Sequence, residues 1–113
     1  MNPTLPWDVI PYETPAGEKP YEVWFEDLSR KDPKTAAIVF KRIGRLKAGH
    51  LGDYDNVGEG VIELRHHKNP GFRVYISRVG TKVYLLLVGG SKGRQQRDIE
   101  KAIEYIREYR GRK

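Results

Sequence analysis

The residues best suited to chemistry are cations gathered in one stretch of the chain. Between Leu64 and Arg97 there is no Asp or Glu, although the whole chain has 15 acidic residues and 21 Lys or Arg residues. Like charges concentrated in this way repel one another unless an anion binds among them. We expect the anion to be RNA phosphate, which arginine binds through two parallel hydrogen bonds. The cations are Arg65, Lys68, Arg73, Arg78, Lys82, Lys92, Arg94 and Arg97.

Four of these cations are predicted to converge on one face of a sheet. If the loop between two of the predicted strands centres on Asn69, Arg65 lies directly opposite Arg73, because cross-strand partners share a face. Two arginines in register destabilise a sheet by up to about 1 kcal/mol, which a bound anion would offset. In the alternative arrangement both arginines turn outward and pair with Glu63 and other carboxylates. The predicted cluster comprises Arg65, Lys68, Arg73 and Lys92.

Histidine is the residue that exchanges protons near neutral pH. His66 and His67 are neighbours on a predicted strand, so their rings point to opposite sides and only His67 shares the side of Arg65. The alternative, that both are surface histidines of a loop, is equally well supported. Tyr75 either stacks on a base or packs on the sheet. The spacing of His and carboxylates does not match a metal site, so neither a metal nor another cofactor is predicted.

Length and composition favour one small globular domain. The 113 residues suffice for a single core, with residues 1–6 and 111–113 as loose ends. Cysteine is absent, and the chain has neither a signal-peptide pattern nor a run of about 18 apolar residues, so a cytoplasmic protein without membrane contact is predicted. The net charge of +6 indicates a polyanionic or acidic partner, or alternatively an ordinary solvated basic surface.

Hydrophobic periodicity predicts an α+β fold in the order β-α-α-β-β-β-α. The sheet is expected to be mainly antiparallel and twisted, and to pack on a pair of helices. Residues 53–60 read as a loop rich in Gly, Asp and Asn. The predicted strands are 7–12 (at an edge or short), 60–67, 71–78 and 81–89, and the predicted helices are 20–28, 33–48 and 92–110.

The second predicted helix has a clear start and an apolar stripe. Asp32 is suited to cap it and Pro33 to begin it. Its predicted core stripe is Ala36, Val39, Phe40, Ile43 and Leu46, and its predicted outer face carries Lys34, Lys41, Arg42 and Arg45.

A set of short motifs resembles one protein family, and the resemblance runs from about residue 7 to residue 109. The chain is similar to the RelE/ParE superfamily of type II toxin–antitoxin toxins, in its HigB-like "addiction module killer" branch. The motifs are Pro20-Tyr21-Glu22, Trp24-Phe25, Arg45-Leu46-Lys47-Ala48-Gly49, Glu63-Leu64-Arg65, Pro70-Gly71-Phe72-Arg73-Val74-Tyr75, Gly89-Gly90-Ser91-Lys92 and Gln95-Gln96-Arg97-Asp98-Ile99.

The resemblance implies a RelE-like fold and a ribosome-dependent mRNA endonuclease in which the 2′-OH of the message attacks the adjacent phosphate without a metal. It also implies a cognate antitoxin, usually a helix-turn-helix protein. A ParE-like gyrase poison and a non-catalytic RNA-binding module are the alternatives. The catalytic candidates are Arg65, Arg73, Lys92, His67 and Asp98, and the RNA-binding candidates are Lys68, Tyr75, Arg94 and Gln95.

Overall fold

The protein is built on a five-stranded sheet with helices on both faces. The computed structural model describes residues 6–69 and 71–112, so the predicted loose ends at residues 1–5 and at Lys113 lie outside the described residues. The elements are β1 Asp8–Pro11, α1 Pro20–Lys31, α2 Pro33–Lys47, β2 Tyr54–Gly58, β3 Val61–His66, β4 Phe72–Gly80, β5 Val83–Ser91 and α3 Gln95–Arg110.

The sheet has the strand order β1-β5-β4-β3-β2. Strand β1 pairs with β5 in parallel, and the other three pairs are antiparallel. The predicted α+β class is confirmed, as is the short strand at an edge. The predicted loop at residues 53–60 is wrong, because β2 lies there and pairs with β3. Every residue of β2 is exposed or half-buried, so the apolar alternation that marks a strand is missing.

The two faces of the sheet have separate cores. Helices α1 and α2 cover one face, where Val39, Leu46, Leu64 and Val74 are fully buried, and α3 covers the other. Strand β5 contributes to both cores, as its continuous apolar run predicted. Among the described helices, none is long and apolar enough to cross a membrane. The core under α3 contains Tyr12, Val61, Tyr75, Leu85, Leu87, Ala102 and Ile106.

Asp32 forms the junction between α1 and α2. Its backbone N–H donates to the carbonyl of Leu28 over 2.7 Å and so closes α1. Its side chain accepts from the backbone N–H of Thr35 at 3.2 Å and from the Thr35 hydroxyl at 2.6 Å. The predicted cap is confirmed, and one residue therefore ends a helix and starts the next.

The predicted faces of α2 are wrong at two positions. Phe40, predicted in the core stripe, is 71% exposed, whereas Arg42, predicted on the outer face, is only 8% exposed. The Arg42 guanidinium donates to the carbonyls of Arg65 and Leu51 at 2.9 Å each and to that of Asp53 at 2.5 Å. Burial lowers the pKa of Arg42. The helix turns this cation inward because three backbone carbonyls near β2 and β3 need a donor.

Candidate nucleic-acid interface

Three strands bring cationic positions together at one end of the sheet. Arg65 on β3 pairs with Arg73 on β4, and Arg73 pairs with Gly90 on β5. The predicted register of the two arginines is confirmed. Their side chains project from the face that α3 covers, since Tyr75, two residues from Arg73, belongs to the core under α3.

The protein's own carboxylates compensate this arginine pair. Arg65 Nε donates to Glu63 Oε1 over 2.8 Å, and Arg73 Nε lies 3.9 Å from the same oxygen. Arg65 Nη2 also donates to Asp55 Oδ2 at 2.7 Å. The hydrogen bond with Glu63 raises the pKa of Arg65. The expectation that the pair needs an external anion is therefore wrong, and the alternative of pairing with Glu63 and other carboxylates describes the contacts of Arg65.

Two of the predicted site residues are inside the protein. Arg73 is 5% exposed, and its Nη1 donates to the carbonyls of His66 and Phe72 at 3.2 and 3.0 Å. Tyr75 is fully buried, its hydroxyl donates to Glu63 Oε2 at 2.9 Å, and burial raises its pKa. Of the two interpretations of Tyr75, packing on the sheet is confirmed and stacking on a base is wrong, because no face of its ring reaches solvent. As placed here, Arg73 holds the strand ends together instead of binding a phosphate directly.

The other three cations among the site candidates are exposed, and we call them the basic rim: Lys68, Lys92 and Arg94. The backbone N–H of Lys92 donates to the carbonyl of Gly71 over 3.1 Å and joins the loop after β3 to the loop after β5. The stem of Lys92 packs against Gly71, where an added Cβ would lie 3.1 Å from the Lys92 Cβ and Cδ. In residues 6–69 and 71–112, none of the three cations of the basic rim has a carboxylate within 4 Å.

His67 adjoins the basic rim and has an acidic partner. Its Nε2 lies 2.8 Å from Asp53 Oδ2, and both side chains are more than half exposed. His66 stacks on Phe72 with ring centroids 4.7 Å apart, on the face that carries α1 and α2. Burial lowers the pKa of His66. Of the two histidines, His67 is therefore the exposed one, and it directly precedes Lys68 of the basic rim.

The two candidates on α3, Asp98 and Gln95, both make contacts within the protein. Asp98 is nine-tenths buried against Gly90, and burial raises its carboxyl pKa. Gln95 Oε1 accepts from the backbone N–H of Gly93 at 2.7 Å, so this side chain stabilises the turn before α3. Among the described residues, no three His, Asp or Glu side chains are grouped closely enough to hold a metal ion.

The sequence interpretation missed Asp53 and Asp55 as partners of the site. Asp53 directly precedes β2 and Asp55 lies within it, in a segment that was predicted as a loop, so their position beside β3 was not foreseen. The pairing of Glu63 with Arg65 could have been predicted from the sequence, because residues two apart on a strand share a face.

The comparisons with known proteins connect the chain to a bacterial relative. No protein-family model matches the chain. A protein of Haemophilus influenzae is 35% identical over 82 residues, which are 73% of this chain and 81% of the relative. The chain belongs to the family of that protein. The relative is described as an uncharacterized protein, so its description assigns no activity to the family.

Two kinds of chemically useful group lie at this end of the sheet. Exposed ammonium and guanidinium groups are available to bind an anion without first breaking an ion pair. A histidine oriented by a carboxylate is available to move a proton. An anionic ligand whose reaction includes a proton transfer fits this combination.

Proposed function

We propose that the protein is a RelE-like toxin of a type II toxin–antitoxin module that cleaves mRNA on the ribosome. The observation that supports the proposal is the hydrogen bond from the backbone N–H of Lys92 to the Gly71 carbonyl, which joins the loop that carries Lys92 to the loop after β3, where His67 contacts Asp53. The resemblance of the Glu63-Leu64-Arg65 and Gly89-Gly90-Ser91-Lys92 motifs to this toxin superfamily supports the same assignment.

The basic rim binds the sugar-phosphate backbone of the message. Lys92 and Arg94 lie on the loop after β5 and Lys68 on the loop after β3, so a single strand that crosses this end of the sheet meets cations from both loops. Arg65 is about 30% exposed and is held by Glu63 and Asp55, so its guanidinium is already oriented when the phosphate arrives. Charge fixed in advance stabilises a developing phosphorane more than charge that must reorganise.

His67 takes the proton in the proposed reaction. The 2′-OH of the nucleotide loses its proton to His67 and attacks the adjacent phosphorus, and the bond from phosphorus to the 5′-oxygen breaks. The leaving 5′-oxygen takes a proton from solvent, which gives a 2′,3′-cyclic phosphate and a 5′-hydroxyl. Asp53, whose Oδ2 lies 2.8 Å from Nε2 of His67, orients the imidazole.

The proposed location is the cytoplasm. The proposed partner is an acidic antitoxin, which in this toxin branch is a helix-turn-helix protein. The antitoxin would cover the basic rim and the outer face of α2, where Lys34, Lys41 and Arg45 are exposed. Covering the basic rim blocks access of the message, so binding and inhibition would be one event.

The test is inducible expression followed by mapping of RNA ends in translated messages. We expect new 2′,3′-cyclic phosphate ends within coding regions, and at least ten-fold slower cleavage for Lys92→Gln and for His67→Gln. Lys82→Gln is the matched control, because Lys82 is exposed in the turn at the other end of β5 and should keep full activity. DNA breaks without RNA cleavage would instead indicate a gyrase poison. RNA binding without cleavage would indicate a binding module. Either result would overturn the proposal.

A further inference from the structure

A shallow groove runs between α1 and α2 on the outer side of the helical pair. It encloses about 370 Å³. Its most exposed member is Phe40, whose large apolar side chain is 71% exposed. Burying an exposed aromatic ring against an apolar surface is favourable, so the groove is suited to docking another polypeptide. The lining residues, five of which are apolar, are Phe25, Ser29, Pro33, Ala36, Ala37, Phe40 and Lys41.

This groove separates an acidic border from a basic border. On α1, Glu22 lies three residues before Phe25 and four before Glu26, which places both carboxylates along the outer border of the groove. On α2, Lys41 lines the groove and Lys34 lies seven residues earlier on the same side. All four charged side chains are exposed, and within the described part of the chain none has an opposite charge within 4 Å. The surface is therefore acidic on one side, basic on the other and apolar in the middle.

The charges on the two borders lie at matching positions along the helical pair. Helix α1 ends and α2 begins at Asp32, so residues equally far from Asp32 lie level with each other. Phe25, seven residues before this junction, and Phe40, eight residues after it, both line the groove and illustrate this correspondence. Glu22 is ten residues before the junction and Lys41 is nine after it. At the same rise per residue in both helices, Glu22 and Lys41 are therefore about level on opposite borders.

We infer that a second copy of this chain docks on the groove, about a two-fold axis that runs along the helical pair. Such an axis sets α1 of each copy against α2 of the other, so Glu22 of each copy faces Lys41 of the other. Phe40 of each copy is covered by the groove of the other. A two-fold interface has to be complementary to itself, and opposed acidic and basic borders meet that condition. A partner of uniform charge would match only one of the two borders.

Small residues leave room for the second copy to approach. Ala37 lies three residues before Phe40 and Gly44 four residues after it, on the same exposed side of α2. A Cβ added to Gly44 would meet no atom within 4 Å, although glycine destabilises the interior of a helix. The fold of a single chain therefore does not require this glycine, whereas a second helix packed closely against α2 does.

The net charge of +6 does not prevent this self-association. At physiological salt, exposed charges more than about 8 Å apart are largely screened, so the pairs inside the interface outweigh the repulsion between distant cations. The inference does not depend on RNA cleavage. Because the proposed antitoxin would also cover Lys41, the dimer and the antitoxin complex would exclude each other.

The experiment is sedimentation equilibrium of the intact protein at several concentrations. We expect a reversible equilibrium between the 13.1 kDa monomer and a dimer of twice that mass. Phe40→Gln and Gly44→Gln should each raise the dissociation constant of the dimer at least about ten-fold. Both variants should stay folded, because Phe40 is exposed and Gly44 has open space around it.

Ile10→Gln is the matched control for the loss of an exposed apolar side chain. Ile10 is 49% exposed on β1, and its neighbour Val9 packs into the core under α1 and α2. Ile10 therefore points to the other face of the sheet, away from the groove. Its substitution should leave the dissociation constant of the dimer unchanged.

Charge reversal tests the pairing of the two borders. Glu22→Lys and Lys41→Glu should each weaken self-association at least about ten-fold, because each change converts two attractive pairs into two repulsive ones. An equimolar mixture of these two variants should form a heterodimer, since both pairs are then attractive again. The inference is wrong if the parent stays monomeric up to about 1 mM, whether or not a different protein binds the groove. It is also wrong if Ile10→Gln weakens the dimer as much as Phe40→Gln, or if the mixed charge variants do not associate.

Discussion

Arg65 and Glu63 are joined by a 2.8 Å hydrogen bond on one face of β3, directly beside the buried Arg73. Glu63 is only 3% exposed and also accepts from Tyr75, so one carboxylate serves two arginines and a tyrosine. The two arginines remain in register because the Glu63 carboxylate on β3 lies beside both of them. The end of the sheet is therefore held in shape before any ligand binds.

Glu63→Gln should destabilise the protein by about 3 kcal/mol, since removing one partner of a buried ion pair leaves uncompensated charge. The measurement is equilibrium unfolding in urea, with the slope checked to be that of the parent. Glu100→Gln is the control and should change stability by less than about 0.5 kcal/mol, as surface substitutions do. A loss below about 1 kcal/mol for Glu63→Gln would mean that the arginine pair is stabilised by solvent instead.

Arg42→Met should cost a similar amount, about 3 kcal/mol, because three backbone carbonyls lose their donor while the apolar stem is kept. Arg45→Met, on the exposed side of the same helix, is the matched control and should be near neutral. Thermal unfolding of the two variants under one buffer condition gives the comparison. Equal melting temperatures for both would show that the carbonyls are satisfied without Arg42.

The parts of the fold that could be predicted from the sequence are those where local pattern and tertiary context agree. The alternation of Phe72, Val74 and Ile76 against Arg73 and Tyr75 predicted the faces of β4, and a loop centred on Asn69 predicted its register against β3. Asp32 followed by proline marked the start of α2 for a reason that is entirely local.

The rest could not be predicted because distant contacts decide it. Phe40 and Arg42 flank the same stripe on α2, and only the carbonyls of the segment leading into β2 make the arginine the inner residue. The sequence did not reveal that segment, since Val57 is the one half-buried residue of β2 and the strand has no apolar alternation. The pairing of Asp55 with Arg65, and hence the internal compensation of the site, depends on the missed strand.

The carboxyl of Asp98 should make stability depend on pH. Burial raises its pKa above the ordinary value of 3.8, so the folded state binds this proton more tightly than the unfolded state. The stabilisation is complete below the unfolded pKa and is lost as the pH rises through the folded pKa. Asp98→Asn should therefore melt at a higher temperature than the parent at pH 7, and the difference should shrink at pH 3.5. Calorimetric scans at both values measure it, and a parent that is the more stable at pH 7 would contradict the burial of an unpaired charge.

The basic rim should set the salt dependence of RNA binding. The variants are Lys68→Gln, Lys92→Gln and Arg94→Gln, and each removes one exposed cation that has no carboxylate within 4 Å in the described chain. Each variant should therefore reduce the slope of log affinity against log salt by about 0.7 for single-stranded RNA. Fluorescence anisotropy of a short labelled RNA, titrated at several salt concentrations, measures the slope. Lys82→Gln keeps the same net charge as these variants but removes a cation at the other end of β5, and its slope should equal that of the parent. If all four variants lower the slope alike, net charge and not the position of the basic rim governs binding.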